Sequence, residues 1–237
     1  MTGQGKKPAR ERLDIILHSK GLAPSREKAQ AMILAGLVMS GDQRLTKAGV
    51  KYPVDIDLAV KGKEHPYVSR GGLKLAAALD HFSDIDLTRA TAIDVGSSTR
   101  GFTHVLPPAG AERVYAVDVG HGQLDWGLRN DDRVVVMEKT NARHLTEELI
   151  PEVADIVVCD ASFISLMKVL PASLERLRPG GVLAALIKPQ FEVGKGQVGK
   201  GGVVRDPALH QAVQDTIRGW LADDLGWQVR GIVPSPI

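Results

Sequence analysis

The sequence is poor in cysteine and contains no long apolar segment. Cys159 is its single cysteine, which excludes an internal disulfide and fits a reducing, cytoplasmic setting. The longest uninterrupted apolar run, Val182–Ile187, is far too short to span a bilayer, and the N-terminal MTGQGKKPARER lacks the apolar core of a signal peptide. Because 43% of the 237 residues are hydrophobic, the chain can still bury a full core. We therefore expect one α/β domain of moderate size with a small appended domain, and no membrane insertion.

The charge of the chain is small in total but unevenly distributed. The formal net charge is +2 at pH 7. Residues 1–74 carry fourteen Lys and Arg against seven Asp and Glu, a net charge of +7, so the remainder carries −5. This asymmetry indicates that the front segment meets nucleic acid, with an ordinary solvated basic face as the alternative.

Residues 10–62 are predicted to form two short helices packed on a small sheet. The first helix follows Arg10 and ends at Gly21; the second is capped by Ser25 and ends at Gly36. Strands are expected at residues 37–39 and over the alternating residues 54–60. Seven polar or cationic residues could share one face suited to phosphates and sugar hydroxyls: Arg10, Arg12, Ser25, Arg26, Lys28, Gln30 and Lys47.

The front segment also carries a recognisable set of motifs. The run RLDIILHSKGLAPSREKAQAMILAGLVMSGDQRLTKAG keeps R-L-D, S-R-x-x-A and I-x-x-G-x-V elements and resembles the S-four type RNA-binding domain. Domains of that type dock on structured RNA through their first two helices. The resemblance therefore implies that the cationic face binds RNA.

Strands and helices alternate along the rest of the chain. Strands are predicted at residues 91–95, 113–117, 133–137, 156–159, 182–187 and 228–233. Helices are predicted at residues 67–79, 103–106, 124–128, 145–149, 166–177 and 208–221. This rhythm favours an open parallel sheet with helices on both faces, in which ligands bind outside the carboxyl ends of the strands.

The first two strand ends carry groups suited to a nucleotide-type cofactor. Asp94, Gly96 and Gly101 lie in the stretch DVGSSTRGFT, where glycines permit a tight turn and close backbone approach. Asp118 ends the next strand and could accept hydrogen bonds from both hydroxyls of a ribose. Nicotinamide and adenosylmethionine cofactors both remain open, and a glycine turn alone can also serve packing.

An acid and a lysine follow the next two strands. Asp160 ends the fourth strand and Lys188 the fifth. If the strands pair, the two side chains are neighbours, and each stabilises the charged form of the other. A surface salt bridge without further role is the alternative.

Taken together, the motifs resemble those of the TlyA family, which is named for haemolysin but consists of ribosomal RNA 2′-O-methyltransferases with an FtsJ-like catalytic domain. The resemblance runs from about Arg10 to the last residue. It is carried by VSRGGLKL, DVGSSTRGFT, VYAVDVGHGQL, TNAR, CDASFISL, LIKPQFE and VGKGGVVRD.

The resemblance implies a fold and a domain plan. The fold is α/β, a Rossmann-like adenosylmethionine-dependent methyltransferase sheet preceded by a small α+β S-four type domain. Residues 1–9 are expected to be a disordered basic tail, 10–62 the RNA-binding domain, 63–69 a linker and 70–237 the FtsJ-like domain.

The resemblance also implies roles for particular residues. Lys74, Asp160 and Lys188 would surround the target ribose, with Gln190 and Phe191 shaping the substrate wall. No metal is needed. The cofactor, S-adenosylmethionine, would be held by Asp94, Gly96, Ser98, Gly101, Phe102, Asp118, Asn141 and Asp160. The expected partner is ribosomal RNA or a ribosomal subunit.

Several positions depart from the family pattern. Arg100 stands where the family has glycine, His104 where it usually has an acid, and Pro107-Pro108 should cut the helix there to little more than one turn. The sequence stops at Ile237, where the family continues with a glutamate and a last strand, so the catalytic domain is expected to lack its C-terminal end. An RNA- or ribosome-binding protein with an impaired or silent methyltransferase domain is therefore the second hypothesis. A pore-forming haemolysin is disfavoured because no membrane-spanning or amphipathic insertion segment is visible.

Overall fold

The chain forms two compact units, residues 1–66 and 67–237. The computed structural model describes residues 9–23, 25–60, 67, 69–97, 101–121, 126–194 and 196–237. The predicted basic tail, except Ala9, and most of the predicted linker 63–69 therefore lie outside the described residues.

The N-terminal unit is a small α+β domain. Its helices are α1 (Leu13–Ser19) and α2 (Arg26–Leu34), and its strands are β1 (Arg10–Arg12), β2 (Val38–Ser40), β3 (Gln43–Arg44), β4 (Lys51–Pro53) and β5 (Ala59–Val60). Strand β1 pairs antiparallel with β4, and β2 lies between β3 and β5. Apolar side chains from both helices and from β2 form its core, among them Leu13, Leu17, Ile33 and Val38.

The predicted helix signals of this unit are confirmed, but one strand is not. Gly21 and Gly36 have φ of 70° and 68° just beyond the two helices, and Ser25 Oγ caps α2 by accepting a hydrogen bond from Lys28 N (3.2 Å). The predicted strand over residues 54–60 is wrong except for Ala59–Val60. Ile56 N instead donates to the Pro53 carbonyl (3.0 Å), and this turn takes the segment away from any ladder.

A five-stranded parallel sheet organises the C-terminal unit. Its strands are β6 (Thr91–Val95), β7 (Arg113–Val117), β8 (Val134–Met137), β9 (Ala154–Cys159) and β10 (Leu177–Ala185). Their spatial order is β10-β9-β6-β7-β8. The chain builds outward from β6 to β8 and then returns to add β9 on the other side. The order therefore reverses between β6 and β9, which is where such folds bind ligands.

Helices cover both faces of this sheet. They are α3 (Gly71–His81), α4 (Gly101–Val105), α5 (Trp126–Arg129), α6 (Leu166–Val169), α7 (Pro171–Leu174), α8 (Pro189–Glu192) and α9 (Pro207–Gly219). Alternate strand residues point to opposite faces: Ile93 joins one core with Ile217 of α9, whereas Ala92 joins the other with Leu75 of α3. The predicted α/β architecture is confirmed, as is the helix of little more than one turn before Pro107-Pro108.

Several predicted elements differ from the structure. The helix expected at residues 145–149 is absent: a 3-10 turn, Ala142–His144, ends just before this segment, and residues 147–149 form only a turn, because Leu145 is buried while Leu149 is exposed and Pro151 follows closely. The helix expected at residues 166–177 is divided into α6 and α7, and Pro171 opens the second piece. Residues 228–233 form no strand.

Side-chain contacts explain why residues 228–233 form no strand and why α3 begins later than predicted. Arg230 forms an ion pair with Asp84 and lies over the Phe82 ring, so this segment is held by side chains and not by a ladder. The helix predicted from Tyr67 begins only at Gly71. The Tyr67 ring occupies the space beside Gly72, where an added Cβ would lie 2.5 Å from it.

Candidate active site

Three predicted residues converge at the carboxyl end of the sheet. Lys188 Nζ lies 2.6 Å from Asp160 Oδ1, and Lys74 Nζ lies 3.6 Å from Asp160 Oδ2. The first contact is an ion pair without hydrogen-bond geometry, because among the described residues Oδ1 accepts no hydrogen bond. Asp160 is nearly buried, so this carboxylate is held between two cations at the edge of solvent.

Strand register brings these groups together. Strands β9 and β10 run parallel with Cys159 opposite Ala185, so the residues that follow them leave the sheet side by side. Asp160 N donates to the Val95 carbonyl at the end of β6 (3.1 Å). Lys188 Nζ donates to the Asp160 carbonyl (3.0 Å) and to Ser162 Oγ (2.9 Å). Helix α3, on the other side, supplies Lys74.

Asp94 is a fully buried carboxylate in β6. Its Oδ2 accepts a 2.5 Å hydrogen bond from Thr103 Oγ1 of α4, while its Oδ1 has no hydrogen-bond partner among the described residues. Burial raises the pKa of Asp94 to about 7; the hydrogen bond from Thr103 opposes this shift and the charge of nearby Asp160 adds to it. A buried acceptor without a donor is suited to a ligand cation or N–H group.

Packing explains both predicted cofactor glycines. Gly96 has φ of 82°, and an added Cβ would lie 2.8 Å from Ala161 Cα. An added Cβ at Gly101 would lie 2.2 Å from Gly72 N, because α4 meets the start of α3 there. Both residues are therefore required by the fold itself, whatever ligand lies beyond them.

The other predicted cofactor residues follow neighbouring strands or enter the core. Asp118, after β7, accepts a hydrogen bond from Gly120 N (2.6 Å), and Asn141 Oδ1 caps the 3-10 turn by accepting from Arg143 N (3.1 Å). The Phe102 side chain is buried in the core and leaves only its main chain for a ligand. Ser98 and Arg100 lie outside the described residues.

The described residues fit adenosylmethionine. The methionine end of that cofactor carries an ammonium and a sulfonium, and Asp94 offers a buried oxygen without a donor at the point where the strand order reverses. Asp118 at the end of the adjacent strand offers a carboxylate for ribose hydroxyls.

In the N-terminal unit, three of the seven predicted RNA-binding residues surround Asp14. Arg12 contacts both oxygens of this carboxylate (Nε–Oδ1 3.0 Å, Nη2–Oδ2 3.1 Å), and Gln30 Nε2 donates to Oδ2 (2.7 Å). Arg26 Nη2 lies 3.5 Å from Oδ2. The hydrogen bond from Arg12 holds the pKa of Asp14 well below its ordinary range, in spite of burial.

The remaining four lie apart from this cluster or serve the fold. Arg10 donates to the Lys51 carbonyl across the β1–β4 pair (2.8 Å), and Ser25 is occupied as the α2 cap. Lys28 and Lys47 are exposed.

Comparison with known proteins identifies the family. Residues 67–237 match the FtsJ-like methyltransferases, and residues 11–55 match the S4 domain. The chain is 46% identical to the 16S/23S rRNA (cytidine-2'-O)-methyltransferase TlyA of Mycobacterium tuberculosis. The alignment of 230 residues covers 96% of this chain and 85% of that protein. The chain belongs to the TlyA family of FtsJ-like methyltransferases.

Two further relatives of this TlyA-family chain have different names. It is 42% identical to Hemolysin A of Brachyspira hyodysenteriae. The alignment of 203 residues covers 85% of this chain and 84% of Hemolysin A. A solved structure of a Streptococcus thermophilus protein, also named as a hemolysin, superposes with a TM-score of 0.71 at 42% identity and covers 98% of this chain and 84% of that one. Within the described part of the TlyA-family chain, no helix has both the length and the apolar character needed to cross a membrane.

Sequence reasoning gave no role to several residues that shape the TlyA-family site. Thr103 binds Asp94, Ser162 binds Lys188, and Glu192 Oε1 accepts a hydrogen bond from Leu166 N (2.9 Å) across the two loops. Phe163 is 90% exposed with φ of 64°, and its ring lies 5.1 Å from that of Phe191. These residues lie within the motifs CDASFISL, LIKPQFE and DVGSSTRGFT, so motif membership was the available signal.

Proposed function

We propose that this chain transfers a methyl group from S-adenosylmethionine to the 2′-hydroxyl of a ribose in ribosomal RNA, in the cytoplasm. The observation that carries the proposal is the Lys74–Asp160–Lys188 cluster, which lies at the carboxyl ends of β9 and β10 beside buried Asp94. Two cations beside one carboxylate suit a hydroxyl that must develop negative charge as it attacks. The activity for which the Mycobacterium tuberculosis relative is named supports the same reaction.

Each residue of the cluster has a distinct task in this proposal. The cofactor, which Asp94 and Asp118 would hold, would supply a methyl group on a sulfonium; the carbon–sulfur bond would break as the ribose oxygen bonds to the methyl carbon. Lys188 first releases one proton to solvent; as the neutral amine it then orients the hydroxyl and accepts its proton, which restores the ammonium. Asp160 holds Lys188 in place, and Lys74 stabilises the developing oxyanion.

Substrate recognition involves both units in this proposal. The exposed Phe163 ring, beside Phe191, lies in the loop that also carries Asp160, and Lys188 Nζ is 5.9 Å from the Phe191 ring centroid. Flat aromatic surfaces of this kind stack unpaired bases. The cationic face of the N-terminal domain then supplies phosphate contacts.

Methyl transfer to purified 30S and 50S ribosomal subunits tests the proposal. We expect labelled methyl groups to appear on the RNA of one or both subunits, and Lys188→Ala to reduce the rate by at least about 100-fold. Lys168→Ala is the matched control, because Lys168 is exposed on α6. Failure of the wild-type protein to bind adenosylmethionine in calorimetry would refute the proposal.

The second candidate, a ribosome-binding protein with a silent methyltransferase domain, is motivated by Arg100. A long cation in place of the family's glycine can fill the cofactor pocket. Calorimetry separates the two functions: the silent protein binds ribosomal subunits but not adenosylmethionine, and Arg100→Gly restores cofactor binding if Arg100 is the block.

A further inference from the structure

We infer that Asp14 is a positioning residue for RNA binding: it holds the guanidinium groups of Arg12 and Arg26 in a fixed arrangement on the surface of the N-terminal domain. The inference rests on the RNA-binding role proposed above. It concerns a residue that touches no RNA itself, since its side chain is completely buried.

The contacts of Asp14 exceed those of an ordinary surface ion pair. Its Oδ1 accepts from Arg12 Nε (3.0 Å) and from Ile15 N (3.1 Å), and its Oδ2 accepts from Arg12 Nη2 (3.1 Å) and Gln30 Nε2 (2.7 Å). Arg26 Nη2 approaches the same Oδ2 (3.5 Å). One carboxylate on α1 therefore connects β1 with the first turn of α2.

Both arginines keep donors free for a ligand while they are held. The side chains of Arg12 and Arg26 remain 41% and 49% exposed, although the carboxylate between them is 0% exposed. A guanidinium has five N–H donors in a planar fork, so two can bind Asp14 while the others point toward a phosphate. Holding the forks in advance removes part of the entropy lost when RNA binds.

The charge of Asp14 makes this inference sharply testable. A carboxylate near a polyanion-binding face weakens attraction, so electrostatics alone predicts that its removal tightens RNA binding. Positioning predicts the opposite sign. The shape-conserving variant Asp14→Asn therefore distinguishes the two, and Asp42→Asn, which removes an equal charge from the exposed β2–β3 turn, is the matched control.

The experiment measures the affinity of the full chain for purified 16S and 23S rRNA at one fixed salt concentration. We expect Asp14→Asn to weaken binding about tenfold, through loss of preorganisation, and Asp42→Asn to leave it unchanged or slightly tighter. Unchanged or tighter binding by Asp14→Asn overturns the inference. If the wild-type chain binds neither RNA, the proposed RNA-binding role fails together with the inference.

A double-mutant cycle separates positioning from a general structural role. In a background carrying both Arg12→Ala and Arg26→Ala, Asp14→Asn should change affinity by less than about twofold, since the groups it positions are gone. A tenfold loss that persists in that background overturns the inference.

A second variant covers the case in which Asp14→Asn unfolds the domain. Arg12→Lys keeps the charge but cannot form the paired contact, so we expect weaker rRNA binding by about fivefold. Arg44→Lys, at an exposed arginine outside the cluster, is its control. Wild-type affinity in Arg12→Lys overturns the inference.

Discussion

Asp94 should make the stability of the C-terminal unit depend on pH. Its folded pKa of about 7 lies above the unfolded value of about 4, so the folded state binds the proton more tightly. The stability that this confers is fully present below pH 4 and is lost as the pH rises through about 7. The difference between these two pKa values corresponds to at most about 4 kcal/mol in the free energy of unfolding.

The variant Asp94→Asn tests this at a single position, because asparagine is neutral at every pH. The variant's free energy of unfolding, minus that of the wild type, should rise between pH 4 and pH 8 in urea titrations without cofactor. Taking the difference cancels the titration of all other groups. If this difference in unfolding free energy does not change with pH, the pKa of Asp94 is the same in the folded and unfolded protein, and the prediction is wrong.

At the residue scale, the sequence predicted which charged groups form the site, but not which residues hold them in place. Asp160 and Lys188 could be placed together because both follow strands of one parallel sheet. Asp14 and Glu192 could not be singled out, since their importance depends on partners that tertiary structure brings close: Gln30 for the first and Leu166 N for the second.

The contact between α3 and α4 should tolerate no side chain at Gly101. An added Cβ would lie 2.2 Å from Gly72 N and 2.4 Å from the Gly71 carbonyl carbon, and these backbone atoms cannot rotate away. We expect Gly101→Ala to lower the free energy of unfolding by about 3 kcal/mol. Gly219→Ala is the control: Gly219 is helical, an added Cβ would lie at an ordinary contact distance of 3.5 Å from the Asp223 side chain, and the variant should raise stability by about 0.5–1 kcal/mol. Equal effects of the two variants in urea unfolding would contradict the close contact.

Glu192 should couple the two loops that carry Asp160 and Lys188. Its carboxylate accepts from Leu166 N at the start of α6, while Glu192 itself belongs to α8, directly after Lys188. We expect Glu192→Ala to cost about 1–2 kcal/mol of stability and to slow methyl transfer, because the lysine loop loses its anchor. Glu192→Gln keeps the acceptor and should recover most of both. If the glutamine variant is as slow as the alanine variant, the negative charge matters and not the loop contact.

At the element scale, prediction succeeded where burial agrees with local pattern. Strands β6 and β7 were predicted with their observed bounds, because central parallel strands are mostly apolar; in β6 the exceptions are Thr91 and Asp94, and in β7 Arg113. It failed at residues 145–149 and 228–233, where apolar spacing fits a regular element. In the structure, residues 146–150 instead form a turn in which Leu149 N and Ile150 N donate to the Thr146 carbonyl, and residues 228–233 are held by the Arg230–Asp84 ion pair.

The division of the whole molecule into two units gives the charge asymmetry a structural meaning. The clustered cations of residues 1–74 belong mainly to the N-terminal unit, which ends at residue 66, whereas the rest of the chain is net acidic. A protein of this kind should bind RNA through the first unit in a strongly salt-dependent way. The charge asymmetry can be read from the sequence, but only the fold shows that two of those cations, Arg12 and Arg26, contact the same buried carboxylate of Asp14.

The salt dependence of rRNA binding should therefore identify which unit holds the phosphates. Each phosphate contact contributes about 0.7–0.9 to the slope of log affinity against log salt concentration. The double variant Arg12→Ala, Arg26→Ala should weaken binding and lower the magnitude of that slope by about 2. The matched pair Arg205→Ala, Arg218→Ala removes two exposed cations from the second unit and changes the total charge equally. If the matched pair lowers the slope as much as the first, net charge and not the N-terminal face governs binding. If only the first pair does, the face built around Asp14 is where the RNA backbone docks.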